Sequence, residues 1–158
     1  MFDPSLSLEA SKTKVGIIYA EGQIVDGEGV EDLVYGTTLS ETLASVRKDE
    51  SIKSVVLRVN SPGGSAFASD VIWREVELLK AVKPVIVSMG AYAASGGYYI
   101  SAPADAIVAD KLTLTGSIGV FGMIPSFGDA LKDKLGVTID GVQTNKYAGM
   151  GNGFTPLK

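Results

Sequence analysis

The sequence of 158 residues contains no histidine and no cysteine. Without histidine, the chain cannot build a Ser-His-Asp triad from its own residues. Without cysteine it has no disulfide and no thiolate ligand, and the two absences together argue against a transition-metal site. We therefore predict no metal and no cofactor. Any serine nucleophile must take its base from a lysine or from outside this chain.

Long apolar runs and basic clusters are also missing. No apolar run approaches the roughly 18 residues that a membrane span requires, and residues 1–10 are polar and acidic rather than a signal peptide. We expect a soluble chain, while a parent protein can still carry an anchor. The net charge of −4, with scattered lysines and arginines, argues against nucleic acid as a partner.

The chain alternates short apolar strands with helices, which is typical of an α/β fold with a mostly parallel sheet covered by helices. The predicted strands are residues 14–20, 52–59, 84–89, 106–109, 116–121 and 137–142. The predicted helices are residues 38–49, capped by Thr38 or Ser40, 66–81, 95–101 and 126–135, the last closed by Gly136.

The domain organisation follows from length and composition. The length suits one domain, so we predict a flexible lead over residues 1–13 and a single domain over residues 14–158, truncated at its C-terminus. Residues 21–36 are rich in glycine and acidic side chains. We expect this stretch, with Leu6 and Leu8, to be poorly ordered or to make subunit contacts.

Two glycine-rich turns, NSPGG at residues 60–64 and AASGG at residues 93–97, each follow a predicted strand and precede a predicted helix. Functional sites in open α/β sheets form where the carboxyl ends of strands meet helix N-termini. Both turns are therefore expected at one edge of the fold. From the pattern alone, purely structural turns are an equally good interpretation, because such turns are common in α/β proteins.

Ser95 is the candidate nucleophile, because it presents a hydroxyl at the predicted start of a helix. The N–H of Gly96 and those of Gly63 and Gly64 can approach a ligand closely and form an oxyanion hole. A third cluster, residues 115–119 (TGSIG), carries another serine, although a bulge at a strand edge explains its glycines more simply.

Three segments carry a resemblance to a known family: VNSPGG at residues 59–64, SMGAYAASGGYYI at residues 88–100 and LTGSIGV at residues 114–120. In this order and at these separations, they resemble the signal peptide peptidase A (protease IV) family, over about residues 14–149. The resemblance implies a Clp-protease/crotonase-like spiral of ββα units and a serine peptidase with a Ser/Lys dyad. It also implies hydrophobic signal peptides as substrates, a ring-shaped homo-oligomer, and a bacterial parent anchored in the inner membrane, with its catalytic part on the extracytoplasmic side.

By the same resemblance, Ser95 is the nucleophile, the N–H groups of Gly96 and of the Gly63–Gly64 turn form the oxyanion hole, and Ser117 orients the lysine base. The family's lysine follows a tyrosine, whereas here Ala148 follows the tyrosine.

This departure at Ala148 favours the C-terminal half of a tandem two-domain protein, whose N-terminal half supplies the lysine. An engineered removal of the base from a one-domain enzyme is the alternative. Lys146 is a minor candidate base, sharing a face with Ala148 if residues 145–148 are extended. The isolated chain is therefore expected to be inactive as a peptidase.

Two other functions stay open at this point. A crotonase-like enzyme acting on acyl-CoA shares the fold and the two-donor oxyanion hole but needs no serine there. A non-catalytic assembly module would carry Ser95 without using it.

Overall fold

The computed structural model describes residues 13–30, 32–149 and 151–154. The chain forms two compact units, Met1–Val120 and Phe121–Lys158. The first unit contains all the described strands and three helices, and the second contains one described helix. Within the described ranges, no helix is both long and apolar enough to cross a bilayer.

The first unit is built on a parallel sheet. Its strands are β1 (Lys14–Glu21), β2 (Gln23–Val25), β3 (Leu33–Tyr35), β4 (Ile52–Ser61), β5 (Val85–Ala94), β6 (Ala106–Val108) and β7 (Leu114–Gly116). The main sheet has the order β1-β4-β5-β6, and β7 also pairs with β5. Strands β2 and β3 form a separate pair, and every pairing is parallel.

Three helices lie in this unit, α1 (Gly36–Lys48), α2 (Ala66–Lys80) and α3 (Gly96–Ser101). Helix α1 follows β3, α2 follows β4 and α3 follows β5. Alternate residues of β4 and of the first half of β5 are buried, because side chains alternate between the two faces of a strand. These strand residues form one core cluster with buried helix residues: Val55, Leu57, Val59, Val85, Val87, Leu43, Ile72, Val76 and Leu79. The predicted mostly parallel sheet with covering helices is confirmed.

Residues 21–36 differ from the prediction. They contain the parallel pair β2 and β3, in which Ile24 is completely buried and Val34 is 4% exposed. Both belong to the core cluster of the first unit. The prediction that this stretch is poorly ordered and has no core to join is therefore wrong, because it contains two short apolar segments between glycines. Its alternative, that the stretch makes subunit contacts, stays a prediction. Leu6 and Leu8 lie outside the described residues.

Two predicted strands are also wrong. No strand covers residues 116–121, because β7 ends at Gly116. Gly116 and Ser117 have φ angles of 83° and 53°. An extended strand cannot continue through left-handed backbone. Residues 137–142 form no strand, and no strand is described in the second unit that could pair with them.

The helix ends follow the sequence signals with one exception. Helix α1 begins after Tyr35, without a side-chain cap, so the predicted capping by Thr38 or Ser40 is wrong. Instead, Thr38 Oγ1 accepts a hydrogen bond from Gly29 N at 3.2 Å. In the second unit, α4 (Gly128–Leu135) ends at Gly136 as predicted, with a left-handed φ of 66°.

Candidate active site

Ser95 lies between the end of β5 and the start of α3, with φ 51° and ψ −118°. Few residues with a side chain adopt this backbone conformation, which costs on the order of 1–3 kcal/mol and is found mainly at functional sites. Two backbone hydrogen bonds hold it: Ser95 N donates to Gly116 O at 2.8 Å, and Tyr99 N donates to Ser95 O at 2.9 Å. The surrounding structure therefore imposes the turn that presents the Ser95 hydroxyl.

The turn after β4 packs directly against Ser95. Strands β4 and β5 are parallel neighbours, so both turns lie at the carboxyl edge of the sheet, as predicted. Gly63 has φ 96°, and a Cβ atom placed on it would lie 2.8 Å from Ser95 Cβ and 2.7 Å from Gly96 N. Only glycine permits this approach without displacing backbone.

The backbone donors of the two turns are not equivalent. Gly63 N donates to the buried Ser61 Oγ at 3.1 Å and is therefore occupied. Neither Gly64 N nor Gly96 N has an acceptor among the described residues. A Cβ atom placed on Gly96 would lie 3.3 Å from Gly64 N, so these two donors are close to each other. An oxyanion hole requires unoccupied N–H groups close to the nucleophilic residue, and these two belong to the residue after Ser95 and to the turn packed against it.

Strand β2 holds the same turn from its other side. Ile24 N donates to Gly63 O at 2.9 Å, and Ser65 N donates to Ile24 O at 2.8 Å. Ser65 Oγ donates to Asp26 Oδ1 at 2.6 Å and accepts from Ala68 N at 3.2 Å, which caps α2. Sequence reasoning missed Ile24 and Asp26, although an apolar pair followed by Asp-Gly was a signal for a short strand and a turn.

The third glycine cluster joins the other two through β7. This strand pairs with the last residues of β5, placing Gly116 opposite Ala94. Thr115 Oγ1 donates to Ala93 O at 2.7 Å, which anchors β7 beside the serine turn. Ser117 follows immediately, is exposed, and has a left-handed φ of 53°. Ser117 therefore directly follows Gly116, whose carbonyl oxygen accepts the hydrogen bond from Ser95 N. The role of Ser117 in orienting a base stays a prediction.

Lys146 and Ala148 lie in the second unit. Tyr147 N donates to Asn145 Oδ1 at 3.1 Å and Ala148 N to Asn145 O at 3.3 Å, so this segment is a turn. Residues 145–148 are therefore not extended, and the condition under which Lys146 would share a strand face with Ala148 is not met. Lys146 Nζ lies 5.4 Å from the centre of the Tyr147 ring. Whether Lys146 serves as a base stays a prediction.

One ionisable group of α3 is perturbed. Tyr99 OH donates to Asp70 Oδ1 at 2.7 Å, and this hydrogen bond to the carboxylate raises the pKa of Tyr99, with smaller contributions from burial and from the Asp70 charge. The Tyr99 ring also lies 6.2 Å from that of Trp73. Among the described residues, no group of three or more acidic, histidine or cysteine side chains is placed to hold a metal ion.

Adjacent parallel strands that end in glycine turns around a strained serine define a Clp-protease-like protein. The model of the Clp protease family matches residues 8–108. A solved structure of a mutant of the 1510-N membrane-bound stomatin-specific protease superposes with a TM-score of 0.55 over 70% of this chain and 50% of that chain. At 23% sequence identity, this likeness shows the fold.

The family follows from the sequence comparisons. The model of Peptidase family S49 matches residues 77–158. Protease 4 of Haemophilus influenzae is 52% identical over 91% of this chain, and the chloroplastic serine protease SPPA of Arabidopsis thaliana is 41% identical over 98% of it. The chain belongs to peptidase family S49. It spans only 23% of the length of each of these two relatives.

Proposed function

We propose that this chain supplies the nucleophile and the oxyanion hole of a serine endopeptidase. The observation that carries the proposal is the pair of unoccupied N–H groups, on Gly64 and Gly96, beside the strained Ser95. Membership of family S49 supports it, and a curated relative is described as a serine protease. The proposed oxyanion hole therefore consists of the N–H groups of Gly64 and Gly96. Gly63, whose N–H is occupied, allows its turn to approach Ser95 closely.

In the proposed reaction, Ser95 Oγ attacks the carbonyl carbon of a peptide bond and loses its proton to a base. The negative charge that develops on the carbonyl oxygen is stabilised by the N–H groups of Gly64 and Gly96. The tetrahedral intermediate then releases the amine, which takes the proton from the base, and leaves an ester on Ser95. Water hydrolyses that ester and regenerates the serine.

The base of the proposed reaction is a lysine that this chain does not place after Tyr147. A lysine has an ordinary pKa of about 10.4 and accepts a proton at neutral pH only when burial lowers that value. An enclosed site between domains or subunits provides such burial. We propose that another domain of the parent supplies this lysine and that Ser117 orients it.

The wider setting belongs to the same proposal. We infer that the substrates are hydrophobic signal peptides, that the parent assembles into a ring of identical subunits, and that it is anchored in a bacterial inner membrane with its catalytic part on the extracytoplasmic side. One related structure is described as a membrane-bound protease, and the chain spans 23% of the length of Protease 4 of Haemophilus influenzae. The rest of the parent therefore has room for the missing base and an anchor.

The direct test is labelling of Ser95 in the full-length protein. A serine-directed fluorophosphonate should add to Ser95, as read by intact mass and peptide mapping. Ser95→Ala should abolish both labelling and peptide hydrolysis, since removal of a triad or dyad member costs several orders of magnitude in rate. The matched control is Ser126→Ala, which removes an exposed serine of the second unit and should change neither.

Full hydrolysis by Ser95→Ala would refute the proposed nucleophile. Acyl-CoA turnover without a Ser95 adduct would instead support a crotonase-like enzyme. Absence of both labelling and turnover in the assembled parent would favour an assembly module.

The source of the base is tested by reconstitution. The chain alone should show no peptidase activity above background. Adding the N-terminal part of the parent should restore turnover if the lysine comes from there. Ala148→Lys alone should restore it if the chain derives from a one-domain enzyme. Ser95-dependent hydrolysis by the unmodified chain alone would contradict both and make Lys146 the leading candidate base.

A further inference from the structure

We propose that Asp26 is a positioning residue for the oxyanion hole, acting through Ser65 and strand β2 on the Gly64 N–H. The inference rests on the proposed function, because it assigns a supporting role to the same site. No substrate contact is proposed for Asp26 itself.

Strand β2 holds the backbone on both sides of Gly64 through two hydrogen bonds, which we call the bracket. Ile24 N donates to Gly63 O at 2.9 Å, and Ile24 O accepts from Ser65 N at 2.8 Å. Ile24 and Gly64 form an isolated parallel bridge, and a Cβ atom placed on Gly64 would collide with Ile24 O. The backbone on either side of the Gly64 N–H is therefore fixed by β2, while that N–H has no described acceptor.

The side chain of Ser65 is held by Asp26. Its hydroxyl donates to Asp26 Oδ1 at 2.6 Å and accepts from Ala68 N at 3.2 Å. A hydrogen bond to an ionised carboxylate is roughly twice as strong as one between neutral groups. Asp26 thus orients the Ser65 hydroxyl so that its lone pair faces Ala68 N. The bond also joins residues that are 39 positions apart, tying the loop after β2 to the turn.

The loop that carries Asp26 is also held on its far side, by the start of helix α1. Thr37 N donates to Gly27 O at 3.0 Å, and Gly29 N donates to Thr38 Oγ1 at 3.2 Å. Asp26 is therefore carried by a loop that helix α1 holds in place. A fixed donor matters here because oxyanion stabilisation depends on donors placed before the charge develops. Loosening Asp26 should move Gly64 N without removing it.

The test uses the full-length protein with Asp26→Ala, Asp26→Asn and Ser65→Ala. Loss of a whole oxyanion donor costs about a hundredfold or more in kcat, so displacement by Asp26→Ala should cost about tenfold, with KM within about twofold. Asp26→Asn keeps an oxygen acceptor and should stay within about threefold of the unmodified protein. Adding Asp26→Ala to Ser65→Ala should cause little further loss, because both act through one contact.

The matched control is Glu28. It lies in the same loop, is exposed, and makes no hydrogen bond or ion pair with any described residue. Glu28→Ala and Glu28→Gln remove the same charge without touching Ser65 and should leave kcat unchanged. A kcat for Asp26→Ala equal to that of Glu28→Ala, a change in KM alone, or an Asn variant as slow as the Ala variant would overturn the proposal.

A second readout does not depend on catalysis. The Ser65 amide donates to Ile24 O, so its hydrogen exchange reports the bracket directly. Exchange at Ser65 should accelerate about tenfold in Asp26→Ala and not in Glu28→Ala, while unchanged exchange would overturn the proposal. If Asp26→Ala does not fold, Ser65→Ala, which removes the same contact, is compared with Glu28→Ala instead. Ser95→Ala separates the two ideas: full activity there refutes the proposed function, whereas the exchange measurement still decides the role of Asp26.

Discussion

Helices α2 and α4 carry similar sequence signals and have different surroundings. Both were predicted from helical spacing, and both occur within two residues of their predicted bounds. Helix α2 buries five residues, three of them completely as large apolar side chains in the core of the first unit. Helix α4 buries none, and Leu135 in its last turn is 70% exposed. The comparison shows that periodicity predicts a helix, whereas burial requires a partner surface.

The same contrast applies to the two units. In the first, Gly63 stands where the backbones of two turns meet, against Gly96. In the second, none of the described residues is buried, and a Cβ atom placed on Gly136 or Gly141 would meet nothing within 4 Å. Gly63 of the first unit is thus constrained by contacts, and Gly136 of the second by local conformation alone. Substitutions in matched pairs can separate these two constraints.

The largest effect is expected from Gly63→Ala. The new methyl group would lie 2.7 Å from Gly96 N and 2.8 Å from Ala94 O, on a residue with φ 96°. Overpacking and backbone strain together should lower the free energy of unfolding by about 2–5 kcal/mol. Urea denaturation measures this change.

Gly136→Ala is the matched control for Gly63→Ala. It keeps a left-handed φ of 66° but meets no neighbouring atom, so it should cost only about 1 kcal/mol. Equal costs for the two substitutions would show that conformation alone, and not the close approach of the two turns, decides the effect.

Most of the fold of the first unit could be predicted because its main strands have clear sequence patterns. Strands β4 and β5 are β-branched runs bounded by turn residues, and glycine turns follow both of them. Strands β2 and β3 were missed because three residues are too few to show a period, and their pairing depends on Ile24 and Val34 reaching the same core. The prediction of a strand over residues 137–142 was wrong for the opposite reason. Apolar and polar residues alternate at its start, but no described strand of the second unit is available to pair with it.

The candidate site was predictable to the level of its turns and no further. Parallel neighbours bring the turns of residues 60–64 and 93–97 to one edge, so their meeting follows from topology. Which donor stays free does not follow, because it depends on the Ser61 hydroxyl occupying Gly63 N. The hydrogen bond between Asp26 and Ser65 was not predictable for a similar reason, since nothing in the local sequence indicates a bond between residues 39 positions apart.

A smaller effect, on average, is expected from truncation of one core residue, Ile72→Ala. Ile72 is completely buried on α2, and removing its side chain should lower the free energy of unfolding by about 2–4 kcal/mol through lost burial and a residual cavity. The counterpart is Leu135→Ala on α4, which should change stability by about 0.5 kcal/mol or less because that side chain is mostly exposed. A cost above about 2 kcal/mol for Leu135→Ala would mean that α4 has a partner in the assembled protein.

The smallest effect concerns how the helices end. Helix α4 closes with the backbone of Gly136, whereas α1 closes at Asp49, whose Oδ1 accepts hydrogen bonds from Ser51 Oγ at 2.8 Å and Ser51 N at 2.9 Å. The Ser51 side-chain bond, followed by its backbone bond and the charges of Lys14 and Lys83, lowers the pKa of Asp49. Because the pKa is lower in the folded state, the stabilisation is complete above the unfolded pKa, about 3.9 for an aspartate, and is lost as the pH falls through the folded value.

Ser51→Ala should therefore raise the pKa of Asp49 towards its ordinary value, as measured by NMR titration of the Asp49 carboxyl carbon. The stability difference between Ser51→Ala and the unmodified chain should be greatest near neutral pH and shrink below about pH 4, where the unfolded chain protonates this carboxyl. Because Asp49 is fully exposed, solvent screens the interaction and the effect on the melting temperature should be small. An unchanged Asp49 titration in Ser51→Ala would assign the lowered pKa to the backbone N–H of residue 51 and the lysines instead, and the end of α1 would then owe nothing to this side-chain contact.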